Sequence, residues 1–146
     1  MRARKIIPSA LVVTILLAAF ASAPASATST RQRILSKVNS IRSDHGIRRL
    51  DCVAPVDRLA QSHSAQMARS RSLFHTANLY SKLRSRVRLT TWGENVGYAP
   101  NWWRVVTLWM RSPSHRRNML NGRFARCGIG VVQVSGRYWL TIIFVG

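Results

Sequence analysis

Acidic residues are almost absent from this chain of 146 residues. Only Asp44, Asp51, Asp57 and Glu94 oppose 23 Lys and Arg residues, so the formal net charge is +19. Sites built from several carboxylates at close spacing, such as an EF-hand loop or a two-metal acidic cluster, are therefore excluded. The chemistry of the chain must centre on its four histidines or consist of binding.

Long hydrophobic runs are absent except near the start of the chain. Three basic residues among the first five precede an apolar run over residues 6–20, and two Ala-Ser-Ala motifs follow it. This order is typical of a secretory signal peptide, and about 15 apolar residues are fewer than the roughly 20 that span a bilayer. We predict a signal peptide at residues 1–27 and a secreted, single domain at residues 28–146 that is not transmembrane once processed.

Cysteine is scarce, and its two copies lie in neither a CxxC motif nor a zinc-finger spacing with histidine. This arrangement argues against a structural zinc site. In a small exported protein, two cysteines more often form a disulfide than remain free. We therefore expect a disulfide between Cys52 and Cys127.

Apolar periodicity predicts helices in the first part of the mature chain and strands at its end. Helices are expected at residues 28–46, 55–71 and 101–111, and a short one restarts at residues 112–114. Residues 73–91 lack a clear pattern and are expected to be irregular. The runs 127–134 and 138–145 are typical of an antiparallel hairpin. The fold class is therefore α+β, with helices packed on a small antiparallel sheet.

The four histidines differ in their expected surroundings. His63 lies on the apolar side of the second helix and is expected to be buried with its polar atoms satisfied, whereas His45 is a solvated residue at a helix end. His75 and His115 lie at element ends, where functional side chains commonly emerge. Glu94 falls between them in an expected loop. A carboxylate can orient an imidazole, and two converging imidazoles can bind a divalent metal.

Five short segments carry a more specific signal: Phe74-His75, Gly93-Glu94-Asn95-Val96, the block from Trp109 to Leu120, Cys127-Gly128-Ile129-Gly130 and Tyr138-Trp139. Their order and spacing resemble those of the CAP superfamily, also called the SCP-like extracellular domain, and in particular its short bacterial secreted members. The resemblance covers about residues 31–146. It implies an α-β-α sandwich, in which helices flank a central antiparallel sheet, and an open cleft with two His and two Glu.

The cleft residues that the resemblance implies are His75, Glu94 and His115, in the roles of first His, first Glu and second His. The second Glu is missing, and Ser112 stands at its position. With one carboxylate, an acid/base pair of the kind used in glycoside hydrolysis is implausible.

The resemblance implies lipid or sterol binding in some relatives, proposed hydrolase activity in others, and divalent-cation binding at the paired histidines. We expect an extracellular binding protein rather than an enzyme. Its ligand would be a small apolar molecule or lipid, or a divalent cation such as Zn²⁺ on His75 and His115, and no cofactor is required. Two alternatives stay open. One is a hydrolase that uses the same three residues, and the other is a cationic protein that binds an anionic cell-envelope polymer.

The arginine excess has two interpretations. It reflects either coding bias on a solvated surface or binding to an anionic polymer or membrane, since attraction to phosphate and carboxylate is not specific. Export argues against a specific nucleic-acid partner.

Overall fold

The computed structural model describes residues 25–146, with side chains from residue 30 onward. Residues 1–24 of the predicted signal peptide therefore lie outside the described residues. The described part forms five helices and four strands: α1 (Ala25–Asp44), β1 (Asp51–Cys52), α2 (Ala54–Ser70), α3 (Leu79–Arg84), β2 (Trp92–Ala99), α4 (Trp102–Arg111), α5 (Pro113–Met119), β3 (Arg126–Val134) and β4 (Arg137–Val145). None of the helices described here is long and apolar enough to cross a bilayer.

The four strands form one sheet in the order β1-β3-β4-β2. The predicted terminal hairpin is confirmed, because β3 and β4 pair antiparallel from Arg126↔Val145 to Val134↔Arg137. β2 also pairs antiparallel with β4 and forms one edge of the sheet. The two-residue strand β1 is the exception to the expected antiparallel pairing, since it lies parallel to β3.

Helices cover both faces of the sheet, which gives the α-β-α sandwich. On one face, Val56 and Ala60 of α2 pack with Ile143 and Val145 of β4. On the other face, α1, α4 and α5 contribute to a larger core with Ile34, Val38, Val105, Val106, Trp109 and Met119. The middle strand β4 is therefore buried on both sides, and its residues from 139 to 145 are all shielded from solvent.

The disulfide is present and joins the short edge strand to the hairpin. Cys52 and Cys127 are direct neighbours in the β1–β3 register and are bonded to each other. No free cysteine occurs among the described residues.

A buried cation, Arg42, ties α1 to the loop before β3. Its guanidinium is fully buried and donates to the carbonyl oxygens of Arg48, Met119, Asn121 and Phe124 at 2.8–3.2 Å. Burial, and then the charge of Arg48, lower the pKa of Arg42 below its ordinary value. Four carbonyl dipoles thus stabilise this charge without a carboxylate.

Three local expectations differ from the structure. The stretch expected to be irregular contains α3, because Leu83 is fully buried beside Val56 and Ile143 and this packing stabilises a helix of low intrinsic preference. Glu94 lies in strand β2, not in a loop, because the whole segment pairs with β4. α1 is already helical at Ala25, the first described residue, so the cap expected in residues 28–30 does not form.

Candidate functional site

Strand β2 places the carboxylate of Glu94 in a buried position, with its side chain only 4% exposed. Three groups donate to it. The Nδ1–H of His75 donates to Oε1 at 2.8 Å, the backbone N–H of Thr76 donates to Oε1 at 2.9 Å, and the Thr76 hydroxyl donates to Oε2 at 2.5 Å. Both carboxylate oxygens are therefore occupied, and the group orients its neighbours.

His75 lies in the segment between α2 and α3, and its side chain is 64% exposed. A carboxylate accepts hydrogen bonds, so the contact with Glu94 assigns the proton of the neutral imidazole to Nδ1. Nε2 then carries the free lone pair at an exposed position. This is the tautomer of a histidine prepared to bind a ligand through Nε2.

His115 lies in the first turn of α5 and is held in a similar way by Ser112. The Ser112 hydroxyl is 2.8 Å from Nδ1 of His115. Ser112 is also the N-cap residue of α5, yet its hydroxyl makes no capping bond with the helix backbone. The Ser112 hydroxyl thus contacts the imidazole of His115 instead of capping the helix backbone.

Two asparagines hold α5 against β2. Asn95 donates to the carbonyl oxygen of His115 at 3.0 Å. Asn118 donates to the carbonyl oxygen of Glu94 at 3.2 Å and to the side-chain oxygen of Asn95 at 2.9 Å. These bonds fix the backbone that carries His115 relative to the strand that carries Glu94.

The electrostatics of the site favour a neutral His115. Burial, and in second place the charge of His75, lower the pKa of His115 below its ordinary value. His115 is therefore neutral at pH 7, with a lone pair available for a ligand.

The four residues expected in the cleft form two hydrogen-bonded pairs, His75 with Glu94 and His115 with Ser112. The bonds of Asn95 and Asn118 connect the segments that carry the two pairs. The other two histidines have the surroundings expected of them. His63 is buried and bonded to the carbonyl oxygen of Phe74 at 2.8 Å, so it supports the segment that carries His75. His45 is exposed at the end of α1.

Sequence reasoning missed one residue of this site, Thr76. It supplies two of the three hydrogen bonds to Glu94. Its position next to His75 was the available signal, but threonine is common, and its contact with a residue 18 positions later depends on the placement of β2.

Comparisons with known proteins agree with these observations. A sequence model of the cysteine-rich secretory protein family, CAP, matches residues 35–145. The chain is 30% identical over 113 residues to the uncharacterized membrane protein YlbC of Bacillus subtilis (strain 168), which covers 71% of this chain and 32% of YlbC. It is 29% identical over 133 residues to the uncharacterized protein YkwD of the same organism. This alignment covers 86% of this chain and 50% of YkwD. The chain thus spans about a third to a half of the length of these relatives.

Solved structures share the fold. An extracellular protein containing an SCP domain from Bacillus anthracis str. Ames aligns with a TM-score of 0.72 and 27% identity, over 81% of this chain and 40% of that one. A cysteine-rich secretory protein from Staphylococcus aureus subsp. aureus Mu50 aligns with a TM-score of 0.69 and 25% identity, over 84% of this chain and 40% of that one. An outer surface protein of Borrelia burgdorferi aligns with a TM-score of 0.73 and 16% identity, over 80% of this chain and 92% of that one. At this identity the comparison shows similarity of fold alone.

The family match extends over most of the chain and includes His75, Glu94 and His115. The sandwich topology agrees with the solved SCP domains. This chain therefore belongs to the cysteine-rich secretory protein (CAP) family.

Proposed function

We propose that this protein is an extracellular binding protein whose cleft takes up a divalent cation such as Zn²⁺ through His75 and His115. One observation carries the proposal. Each imidazole has its Nδ1 held by a neighbouring side chain, Glu94 or Ser112. Nε2 of both histidines makes no hydrogen bond within the described residues and is left for a ligand. The extracellular location is supported by the predicted signal peptide and by structural relatives described as extracellular or outer-surface proteins.

The donor groups fit a transition metal of the zinc type. Neutral imidazole nitrogen is a preferred ligand of Zn²⁺, and a carboxylate on the opposite ring nitrogen raises the basicity of the imidazole. Glu94 has that second role, because its oxygens are already occupied by Thr76 and His75. The described residues contain no group of three or more His, Cys, Asp and Glu arranged to hold a metal. Water would complete the coordination, and weak, exchangeable binding is expected.

Binding is better supported than turnover. A bound cation would supply a positive charge that attracts an anionic or carbonyl-bearing ligand. A hydrolase would also need a free base, and Glu94 is unsuited to that role because three donors surround it. His115 remains the candidate base for the hydrolase alternative. The small apolar or lipid ligand implied by the family resemblance stays a prediction.

Calorimetric titration of Zn²⁺ into the metal-stripped protein tests the proposal. We expect saturable heat from the wild type and its loss in the double variant His75→Ala/His115→Ala. The control is His45→Ala, which removes an exposed histidine at the end of α1 and should titrate like the wild type. Equal heats from the wild type and the double variant would disprove cation binding at this site.

A further inference from the structure

A groove of about 850 Å³ lies at the hairpin end of the sheet, on the side covered by α2. The end of α2, the segment that follows it, Tyr98 of β2 and the β3–β4 hairpin form its walls. Tyr98 is four residues from Glu94 along β2, which corresponds to about 13 Å. None of His75, Glu94, Ser112 and His115 lines the groove, although Leu73 in its wall is two residues before His75.

Three arginines line this groove, Arg69, Arg71 and Arg137, and no acidic residue does. Among the described residues, the only contact within 4.0 Å between a basic side chain and a carboxylate is that of His75 with Glu94, so none of the three arginines is neutralised by a carboxylate. The guanidinium groups of Arg69, Arg71 and Arg137 also donate no hydrogen bond to any other described residue. Three like charges around one concave surface create a positive potential, which favours an anion from outside.

The aromatic residues of the groove fix the position of one of these charges. The Tyr98 ring stacks on Trp139 with centroids 4.8 Å apart and planes 14° apart. The guanidinium carbon of Arg137 lies 5.5 Å from the centroid of the Tyr98 ring. A guanidinium held by an aromatic ring keeps its N–H donors available for an anion. Arginine often binds phosphate through two parallel hydrogen bonds, and a guanidinium positioned in advance favours this geometry.

The size and composition of the groove indicate the kind of anion. A single free phosphate would fill little of a groove of this volume and would meet only one or two guanidiniums. Exposed apolar side chains, Leu73 and Val134, also line it and would pack against carbon atoms of a ligand. A chain that alternates phosphates with short polyol units matches both features, because it presents repeated charges separated by CH groups.

We propose that this groove binds an anionic polyol-phosphate polymer of the cell envelope. Arg69, Arg71 and Arg137 contact successive phosphates, and Tyr98 holds Arg137 in place. The proposal relies on the extracellular location given above, but it is independent of the metal site. Binding must therefore persist when divalent cations are removed with EDTA.

The first test compares two variants that lose the same charge. Fluorescence anisotropy of labelled poly(glycerol phosphate) is measured with the full protein in EDTA between about 50 and 200 mM salt. The groove variant is Arg69→Gln/Arg71→Gln/Arg137→Gln. The matched control removes three exposed arginines from α1, α4 and the loop after α1, which belong to the opposite side of the sheet: Arg33→Gln/Arg49→Gln/Arg104→Gln.

We expect the groove variant to bind at least about tenfold more weakly. The slope of log affinity against log salt, which is negative, should become less steep by about 2. The control variant should change both values much less. Equal losses in the two variants would overturn the proposal, since they would show diffuse charge rather than a built site.

A charge-neutral variant gives a second test. Tyr98→Leu removes the ring beneath Arg137 and leaves the net charge unchanged, so we expect weaker binding with a nearly unchanged salt slope. Trp103→Leu, at an exposed aromatic position on α4, is the control and should bind like the wild type. Far-UV circular dichroism verifies folding of each variant. Wild-type affinity in a folded Tyr98→Leu variant would contradict the role of the ring.

Vesicles distinguish a membrane from the polymer. If phosphatidylglycerol vesicles bind in a groove-dependent manner and the polymer does not, the occupant is a lipid surface and the proposal is wrong. Loss of Zn²⁺ binding in the cleft variants, by contrast, leaves polymer binding unaffected.

Discussion

Glu94 is the only carboxylate of the candidate site, and its surroundings give it one role. It accepts from His75 and twice from Thr76 in a buried position, so it orients an imidazole rather than taking a proton from a substrate. The residue types of this cleft could be predicted from sequence, because motifs name His75, Glu94 and His115 directly. The contribution of Thr76 could not, since no spacing rule connects it with Glu94.

Thr76→Val tests this role at the scale of one residue. The change keeps the side-chain shape and the backbone donor but removes the hydroxyl that donates to Glu94. We expect the free energy of unfolding to fall by about 1–2 kcal/mol, because a buried carboxylate loses one donor. Affinity for Zn²⁺ should fall about tenfold, because His75 is held less firmly. Urea unfolding and calorimetry measure the two effects.

Thr76→Ser is the matched control, because it restores the hydroxyl while removing a methyl group. It should recover most of the lost affinity for Zn²⁺. A valine variant with wild-type stability and affinity would show that the hydroxyl contributes nothing.

The close packing of α2 on β3 decides the architecture at the scale of elements. A Cβ atom at Gly128 would collide with the backbone of Val56, and one at Gly130 would collide with the backbone of Ala60. The Gly-x-Gly pattern therefore lets a helix lie directly on the strand. Helix α2 and the hairpin could be predicted from local periodicity. α3 and β2 could not, because burial of Leu83 and pairing with β4 stabilise them.

Gly130→Ala should destabilise the protein by about 3 kcal/mol, because the new methyl group must displace helix backbone rather than a flexible side chain. The measurement is the free energy of unfolding in urea. Gly122→Ala is the control, because the nearest atom to its added Cβ, in Ile47, is at an ordinary contact distance of 4.0 Å. If the two substitutions have the same effect, contact between α2 and β3 does not require glycine.

The disulfide acts at the scale of the whole molecule. It connects residues 75 positions apart, so it restricts the unfolded chain over most of the domain. β1 is only two residues long and depends on this link and on its pairing with β3. Buried clusters on either side of β4 provide further long-range contacts.

Removing both cysteines as Cys52→Ala/Cys127→Ala should lower the free energy of unfolding by about 4 kcal/mol, because the unfolded chain regains the entropy of a long loop. Thermal unfolding monitored by circular dichroism measures the effect. A reducing agent should lower the melting temperature of the wild type and leave that of the double variant unchanged. An unchanged melting temperature in the reduced wild type would contradict this account.

The sequence by itself determined the α+β class, the family resemblance, the cysteine pair and the choice of candidate cleft residues, because helix periodicity, hairpin patterns and motifs are local in the chain. Tertiary structure decided which polar groups meet. The pairing of β2 with β4 brings Glu94 to His75 and Thr76, and it also places Tyr98 beside Trp139 and Arg137. Such contacts join residues that are distant in sequence, and they form only when strand register and helix packing are established together.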